Sequence, residues 1–584
     1  MPYYPKHSVL PTSRDTLDTF GGLDMRERIE RASFADMRNL SSLSYPLLAP
    51  RRRRGKLRMM QNQHPGGLIG KDTLCFIDNG ELYIGQTKKT LSGVTISSGQ
   101  KQLVGMGAYI CIFPDGIFFN TEDDSDYGYM AAEMKIDAGT GSGISYMLCS
   151  RDGESLSATA SATAPEEPED GQYWIDTSGD TDTLKRYSAI YKDWTDIASS
   201  YIKISASGID DGINAGDGIT ISGSSVPELN SSFVVTETGE DCIIVPGVLR
   251  EVSTQRQGTL TLARKLPQMD YVCECGNRLW GCKYGTVDGE TVNVLYASAL
   301  GDFKNWNRFE GAAGDSWWAS RGSDGAWTGC ANYLGHPTFF KENCIEVIYP
   351  SESGAHRVVT TEVGGLGVAR GSAASLAMVG SVLYYLSPSG VCAYTGTLPQ
   401  VVSAAFGTEH FSHGVAGELV GRYYLSAMNS AGEWRMLVYD TSRLIWHIED
   451  ETQATAFARV GNELYFTDAA GNLWTVTGSS GAKEAPLTWY AESGVIGYYT
   501  PDRKYLSRFN IRAEIDIGER LEVWLCYDGD PEWVFAGSVT GNGMRTYTLA
   551  VPPRRCDHMR MRIVGEGDCR VWQIDNILAK GSDI

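Results

Sequence analysis

Apolar and polar residues alternate in short runs along most of the chain, and turns that contain glycine separate these runs. Successive side chains of a β-strand point to opposite faces, so alternation with a period of two predicts strands with one buried face. One unit recurs, a glycine turn followed by a strand of aromatic and aliphatic residues, as in residues 79–84 and 461–466. The pattern predicts an all-β protein.

The recurrent unit has a period that predicts the architecture. Turn glycines at Gly276, Gly335, Gly380, Gly421 and Gly461 each begin such a unit. A spacing of roughly 40 to 50 residues with strand–turn–strand content is typical of β-propeller blades, which stack radially because one small sheet cannot bury both faces alone. Six or seven such units predict a six- to seven-bladed β-propeller. Unrelated hairpins in β-sandwiches are the alternative.

The period also predicts where the domains begin and end. It stops in a Ser/Ala/Thr-rich stretch at 155–164, which precedes a Pro-Glu-Glu-Pro sequence typical of a linker. A helix is predicted between Met25 and Leu40, where apolar residues are spaced by three and four. The predicted domains are an N-terminal arm (1–60), the first part of the propeller (61–150), an inserted β module (151–249), the second part of the propeller (250–481) and a C-terminal β-sandwich (482–584).

Composition and charge indicate which partners and which cellular environment to expect for the protein. The formal net charge of -20 disfavours tight binding to a phosphate backbone. No apolar run approaches the roughly 20 residues of a membrane span, and Met1 to Asp15 contain no signal-peptide core. Synthesis and folding in a cytoplasm are therefore expected. The 13 cysteines are predicted to be buried free thiols, because the cluster around Cys273 lacks the paired spacing of a zinc site.

No motif predicts catalysis. Propellers also carry glycosidases, but residues 323–328 lack the spacing of a sialidase Asp box and the sequence does not repeat. His410 and His413 have no cysteine near them, which argues against a metal site. We therefore predict no catalytic residue, no metal and no cofactor.

Two sets of residues are candidates for binding. Arg51, Arg52, Arg53 and Arg54 form a cationic strip that we predict to contact a neighbouring subunit, since the chain is too acidic for nucleic-acid binding. In the inserted module, Trp174 and Trp194 are candidates for stacking on glycans; aromatic residues are equally common where subunits meet.

Several short motifs resemble those of phage tail proteins. Residues 20–23, 39–40, 45–46 and 51–55 are similar to the start of many phage virion proteins, in particular the β-propeller tail-nozzle and packaged-DNA stabilisation proteins of short-tailed phages. The run 293–349 resembles tail proteins of phages of Gram-positive bacteria. Residues 171–177 resemble a small module of phage tail and fibre proteins.

The resemblance implies a non-enzymatic structural subunit of a phage tail, located in the virion and produced in the host bacterial cytoplasm. As a nozzle or neck protein, it would form a homo-oligomeric ring that contacts neighbouring tail or head–tail connector proteins. Viral DNA would pass through the ring without sequence-specific binding during genome retention and ejection. The alternative is a distal tail-tip or receptor-binding protein that contacts host surface glycan through residues 151–249.

Overall fold

The structure is a computed structural model that describes residues 12–61, 66–307, 314–498 and 502–580. The start of the predicted arm (1–11) and residues 308–313 of the central run lie outside the described residues, as do 62–65, 499–501 and 581–584. Within the described residues all long elements are strands, and no helix is long and apolar enough to cross a membrane. Four short 3-10 helices cover Ser42–Ser44, Pro227–Leu229, Ala373–Ser375 and Ala404–Phe406. The predicted all-β class is confirmed.

The first strands fall into two groups. Three N-terminal strands pair with distant parts of the sequence: β1 (Thr12–Leu17), β2 (Phe34–Arg38) and β3 (Gly55–Met59). The next eight form two antiparallel four-stranded sheets, blade 1 and blade 2. Blade 1 contains β4 (Gly67–Gly70), β5 (Leu74–Asp78), β6 (Glu81–Ile84) and β7 (Thr87–Lys88), and blade 2 contains β8 (Gln102–Met106), β9 (Tyr109–Phe113), β10 (Ile117–Asn120) and β11 (Tyr127–Tyr129).

An inserted domain of thirteen strands follows blade 2. Its strands are β12 (Ala132–Asp137), β13 (Ile144–Cys149), β14 (Ala158–Ser161), β15 (Tyr173–Asp176), β16 (Thr183–Ser188), β17 (Asp193–Asp196), β18 (Tyr201–Ser205), β19 (Gly218–Ser222), β20 (Ser232–Val234), β21 (Glu237–Gly239), β22 (Cys242–Pro246), β23 (Ser253–Gln255) and β24 (Thr259–Arg264). The entry strand β12 pairs antiparallel with the exit strand β24. The inserted domain therefore runs from Ala132 to Arg264, and the predicted range 151–249 lies inside it.

Five more sheets complete the described repeat. Blade 3 contains β25 (Tyr271–Glu274), β26 (Leu279–Val287), β27 (Glu290–Ala297) and β28 (Trp317–Ser320), and blade 4 contains β29 (Gly329–Tyr333), β30 (His336–Phe340), β31 (Cys344–Tyr349) and β32 (Arg357–Glu362). Blade 5 contains β33 (Ala377–Val379), β34 (Val382–Ser387), β35 (Gly390–Tyr394) and β36 (Gln400–Val401), and blade 6 contains β37 (Phe411–Leu419), β38 (Arg422–Asn429), β39 (Trp434–Asp440) and β40 (Ile445–Ile448). Blade 7 contains β41 (Ala454–Val460), β42 (Glu463–Asp468), β43 (Asn472–Thr475) and β44 (Ala482–Lys483), with β3 inserted between β43 and β44.

The sheets follow one another around a closed circuit. The first strand of most blades contacts the first strand of the next, and β41 of blade 7 contacts β4 of blade 1. Blades 4 and 5 meet through the 3-10 helix Ala373–Ser375. Apolar clusters fill the space between neighbours, so that Phe76 of blade 1 packs with Leu473 of blade 7. The fold is a β-propeller, as predicted, and we interpret the seven described sheets as its blades.

Glycine allows the central strands to approach closely. A Cβ added at Gly70 in β4 would lie 1.9 Å from the carbonyl oxygen of Arg459 in β41, where no side chain fits. The tight hairpin between β5 and β6 uses Asn79 and Gly80, whose φ angles are +53° and +78°. Such left-handed turns match the twist of paired strands, which is why the sequence places Asn-Gly there.

The remaining strands form two sheets with a common apolar core. They are β45 (Thr488–Ser493), β46 (Lys504–Ile515), β47 (Arg520–Tyr527), β48 (Val534–Thr540), β49 (Gly543–Ala550), β50 (Met559–Glu566) and β51 (Arg570–Lys580). β1 joins one sheet beside β51, and β2 joins the other beside β45. Their core continues into residues of blades 5 and 6. The N-terminal segment is therefore built into its own chain rather than extended as an arm.

The predicted helix between Met25 and Leu40 is wrong. Residues 34–38 form β2, which pairs with β45 and contains a β-bulge between Phe34 and Asp36. The bulge adds one residue to the strand, so that Phe34 and Met37 are both buried although they are three residues apart. The bulge thus reproduces, in a strand, the spacing of an amphipathic helix.

Candidate functional site

A small sheet of the inserted domain carries one apolar and one mixed face. It has the order β14-β15-β16-β17, with β17 at an edge. Ile175 and Leu184 point into the core of the inserted domain and are fully buried. Because successive side chains of a strand alternate, the residues adjacent to Ile175 and Leu184 point to the opposite face. That face carries Trp174, Asp176, Lys185, Tyr187, Trp194 and Asp196, and we call these six residues the aromatic face.

Trp194 contacts two other rings of the aromatic face. The ring centroids of Trp174 and Trp194 are 5.3 Å apart in an edge-on arrangement, and those of Tyr187 and Trp194 are 5.4 Å apart. Tyr187 and Trp194 are directly opposed cross-strand partners. Trp174 is buried, with 6% of its surface exposed, and its indole N–H donates to the carbonyl and hydroxyl oxygens of Ser161. Trp194 and Tyr187 remain partly exposed.

A charged group borders the rings. The Lys185 ammonium lies 3.1 Å from an oxygen of Asp176 and 3.5 Å from an oxygen of Asp196, and 5.4 Å from the centroid of the Trp174 ring. Hydrogen bonds from the hydroxyl and backbone N–H of Ser178, together with Lys185, lower the pKa of Asp176 to about 2. Asp176 therefore stays ionised at every pH near neutrality. The aromatic face thus combines exposed ring surface with fixed hydrogen-bonding groups.

The sequence identified only part of this face. It singled out Trp174 and Trp194, which the structure places in contact, although Trp174 supports Trp194 and offers little surface of its own. Tyr187 and Lys185 were missed. Their positions two residues apart in β16 were a usable signal, because alternate residues of a strand share a face. The hairpin register that opposes Tyr187 to Trp194 was not readable from the sequence.

The cationic strip divides into buried and exposed members. Arg51 and Arg54 have side chains only 4% and 3% exposed. Arg54 contacts Glu449 at 2.7 Å and Asp450 at 2.8 Å, and Arg51 contacts Glu484 at 2.6 Å. These two guanidiniums join the N-terminal segment to blades 6 and 7 of the same chain and are not available to another subunit. For Arg52 and Arg53, contact with a neighbour stays a prediction.

A cavity of about 520 Å³ lies among blades 2, 3, 4 and 5. Its lining includes Gln102 of β8, Tyr271 of β25 and Cys330 of β29. Among its lining residues the one carboxylate is Asp270, which pairs with Lys283 at 2.7 Å. Hydrolysis of a glycosidic bond ordinarily uses two carboxylates. We therefore place no catalytic pair in this cavity.

Other chemically active residues are accounted for by local structure. All 13 cysteines are free, and 12 of them are buried. Among the described residues, Asp528, Asp557 and His558 could together hold a metal ion. An oxygen of Asp528 already accepts the backbone N–H of Asp557, at 2.7 Å, and His558 contacts the Asp557 carboxylate at 2.6 Å. These bonds between the turn at Asp528 and the segment before β50 explain the cluster.

No protein-family model matches the chain, and no curated protein matches it. Solved structures with some similarity include an exo-β-1,3-galactanase from Phanerochaete chrysosporium, at 10% identity and a TM-score of 0.22, covering 52% of this chain and 94% of that one. A family 43 arabinoxylan arabinofuranohydrolase from Bacillus subtilis has 11% identity and a TM-score of 0.17, covering 53% and 95%. BamB from Moraxella catarrhalis has 12% identity and a TM-score of 0.21, covering 59% and 97%.

These neighbours correct the function inferred from the short motifs. They are glycoside hydrolases and BamB rather than tail proteins, which contradicts the prediction of a structural, non-enzymatic tail subunit or tail-tip protein. That prediction is wrong and is not carried further. At such low identities and scores the neighbours transfer no activity, so no hydrolase function is assigned from them. The family resemblance, the predicted partners and the virion location stay predictions.

Proposed function

We propose that the protein binds a saccharide on the aromatic face of its inserted domain. One observation carries the proposal: Trp194 and Tyr187 lie side by side, partly exposed, and Trp194 packs against a buried Trp174. Sugar rings present flat patches of C–H groups that pack on aromatic rings, while their hydroxyls need hydrogen-bonding partners. The aromatic face offers both.

The polar ends of the two exposed rings are free to bind a ligand. Within the described part of the chain, neither the Tyr187 hydroxyl nor the Trp194 indole N–H makes a hydrogen bond. Asp196 lies beside them with 69% of its side chain exposed, although it also contacts Lys185. A saccharide stacked on Trp194 would therefore find a donor, an acceptor and a phenolic hydroxyl around its edge.

The site is already ordered before a ligand arrives. The two Ser161 bonds hold the Trp174 indole, and Lys185 is held between two carboxylates. Fewer side chains then lose freedom on binding, and this loss is a main cost of association. A pre-ordered small sheet suits a binding module, and its position in a propeller insertion leaves it accessible.

Binding of the full-length protein to a glycan array, followed by calorimetry with the bound oligosaccharide, tests the proposal. We expect Trp194→Ala and Tyr187→Ala each to weaken binding about tenfold or more, which is roughly 1.4 kcal/mol. Trp318→Ala is the matched control, because Trp318 is an exposed tryptophan of blade 3 outside this face, with 53% of its surface exposed.

Two results would contradict the proposal. One is a protein that binds no glycan on the array. The other is binding that Trp318→Ala abolishes while Trp194→Ala leaves it unchanged, which would move the site to the propeller. Assaying the bound polymer for newly released reducing ends separates binding from turnover, because binding alone releases none.

A further inference from the structure

A basic groove lies where the N-terminal segment meets blade 7 and the C-terminal sheets. Two cavities, of about 390 and 680 Å³, share Leu43, Arg51, Arg52 and Thr477 in their walls and so form one continuous groove. The larger cavity is also lined by Arg53, Lys483 and Arg570, which come from three separate parts of the sequence. Only the fold brings these cations together.

The charge of this groove opposes that of the whole chain. Its larger cavity is lined by one carboxylate, Asp568, and five cationic side chains, of which Arg51 is already paired with Glu484. The formal net charge of the whole protein, in contrast, is -20. Arg52 and Lys483 are exposed and have no ion pair within the described residues. Arg570 has one contact, with Glu514 at 3.7 Å, and both side chains are nearly half exposed. An exposed ion pair of this kind contributes little free energy, so Arg570 remains available to bind another anionic group.

The groove is rigid and has an apolar rim. Buried Arg51 and Arg54 fix the backbone beneath the exposed Arg52 and the half-buried Arg53. At the rim, Leu43 and Val420 are 43% and 62% exposed. Val420 has a φ angle of +48°, a conformation that costs free energy in a β-branched residue. This angle belongs to the two-residue turn Val420–Gly421 between β37 and β38. Exposed aliphatic residues beside unpaired cations suit a contact surface.

A second surface of the same chain has the complementary charge. The loop between β14 and β15 carries four exposed carboxylates within five residues, Glu166, Glu167, Glu169 and Asp170. None of them lines the groove within one copy. Pro165 and Pro168 restrict the backbone of this acidic loop, which reduces the conformational entropy lost on docking.

We propose that the basic groove binds the acidic loop, residues 166–170, of a second copy of this chain. The two surfaces differ, so the contact is heterologous and each copy can both give and receive one loop. Association then continues from copy to copy, into a closed ring or an open chain according to the angle between neighbours. Charges exposed at the contact make the association sensitive to salt.

Sedimentation velocity of the full-length protein tests the proposal. At low ionic strength we expect species larger than the 63.8 kDa monomer, in amounts that rise with protein concentration and fall as salt is added. The charge-reversed variants Arg52→Glu/Arg53→Glu and Glu166→Arg/Glu167→Arg should each weaken association at least tenfold. Mixing these two variants should restore association between unlike copies. The unchanged groove of one variant can bind the unchanged loop of the other, and the reversed groove and reversed loop also carry opposite charges.

The control is Arg151→Glu/Arg256→Glu, a reversal of two exposed arginines elsewhere on the inserted domain, which should leave association unchanged. Circular dichroism checks that every variant is folded. A protein that stays monomeric at low salt overturns the proposal, and so does association that both reversed variants retain. A monomer that instead binds polyglutamate through Arg52 and Arg53 would also overturn it, since the occupant would then be a different polyanion.

Discussion

Replacing Arg54 by methionine tests how much the buried ion network contributes to the stability of the propeller. Methionine keeps the length of the side chain and removes its charge. Arg54 lies 2.7 Å from Glu449 and 2.8 Å from Asp450, and the three side chains are 3%, 5% and 14% exposed. Without Arg54, Glu449 stays buried close to Asp450 with a much weaker cationic partner.

The size of the effect follows from this burial. Removing one partner of a buried ion pair costs about 3–5 kcal/mol, because the remaining charge is left without compensation. Arg51 remains 3.2 Å from Asp450 and 3.9 Å from Glu449 and compensates in part. We therefore expect Arg54→Met to lower the free energy of unfolding by about 3 kcal/mol. Burial alone would raise the pKa of Asp450, but the charges of Arg54 and Arg51 outweigh it and lower that pKa to about 2.

Urea unfolding followed by tryptophan fluorescence measures this loss. The control is Arg52→Met, which removes the exposed member of the same strip and should change the unfolding free energy by no more than about 0.5 kcal/mol. Added salt, at about 0.5 M, suppresses contributions from exposed charges and leaves buried pairs largely unscreened. The double variant Arg54→Met/Glu449→Gln should lose less than the sum of its two single changes. Equal losses for Arg54→Met and Arg52→Met would refute the reasoning.

Three further predictions concern the propeller and its buried groups. Gly70→Ala should destabilise the protein by about 1–3 kcal/mol in thermal unfolding, because the new Cβ would lie 1.9 Å from the carbonyl oxygen of Arg459. The control Gly105→Ala should have little effect, because the nearest atom to its Cβ lies 3.7 Å away. Equal effects of the two variants would contradict the close approach at Gly70. Burial lowers the pKa of His447 to about 4 from an ordinary value of 6.5. Between pH 6.5 and 4, His447 is therefore protonated in the unfolded chain but stays neutral in the folded protein. Stability should then be full above pH 6.5 and fall by about 3 kcal/mol as the pH decreases to 4, and His447→Gln should reduce that slope in unfolding measured across the range. Finally, a thiol reagent should modify at most one cysteine quickly in the folded protein and all 13 after unfolding; rapid reaction of several would show that the twelve buried thiols are exposed.

The short motifs from which a resemblance to tail proteins was inferred were a poor guide to function. A β-propeller is compatible with many unrelated activities, so a function has to be argued from a site and not from the fold. The prediction of a structural tail subunit depended on motifs of a few residues and on the charge of the chain. The proposed saccharide site depends on a geometry that neither of these contains.

The sequence by itself determined the all-β class, the propeller and the approximate position of its insertion. These features are local, because strand alternation, glycine turns and their spacing depend on residues that are close together in the sequence. The tertiary structure decided which distant segments pair. It placed β2 beside β45, β3 inside blade 7, two arginines of the strip in the interior and Tyr187 opposite Trp194. Pairing between distant strands depends on the whole core, and its partners leave no periodic trace in either segment.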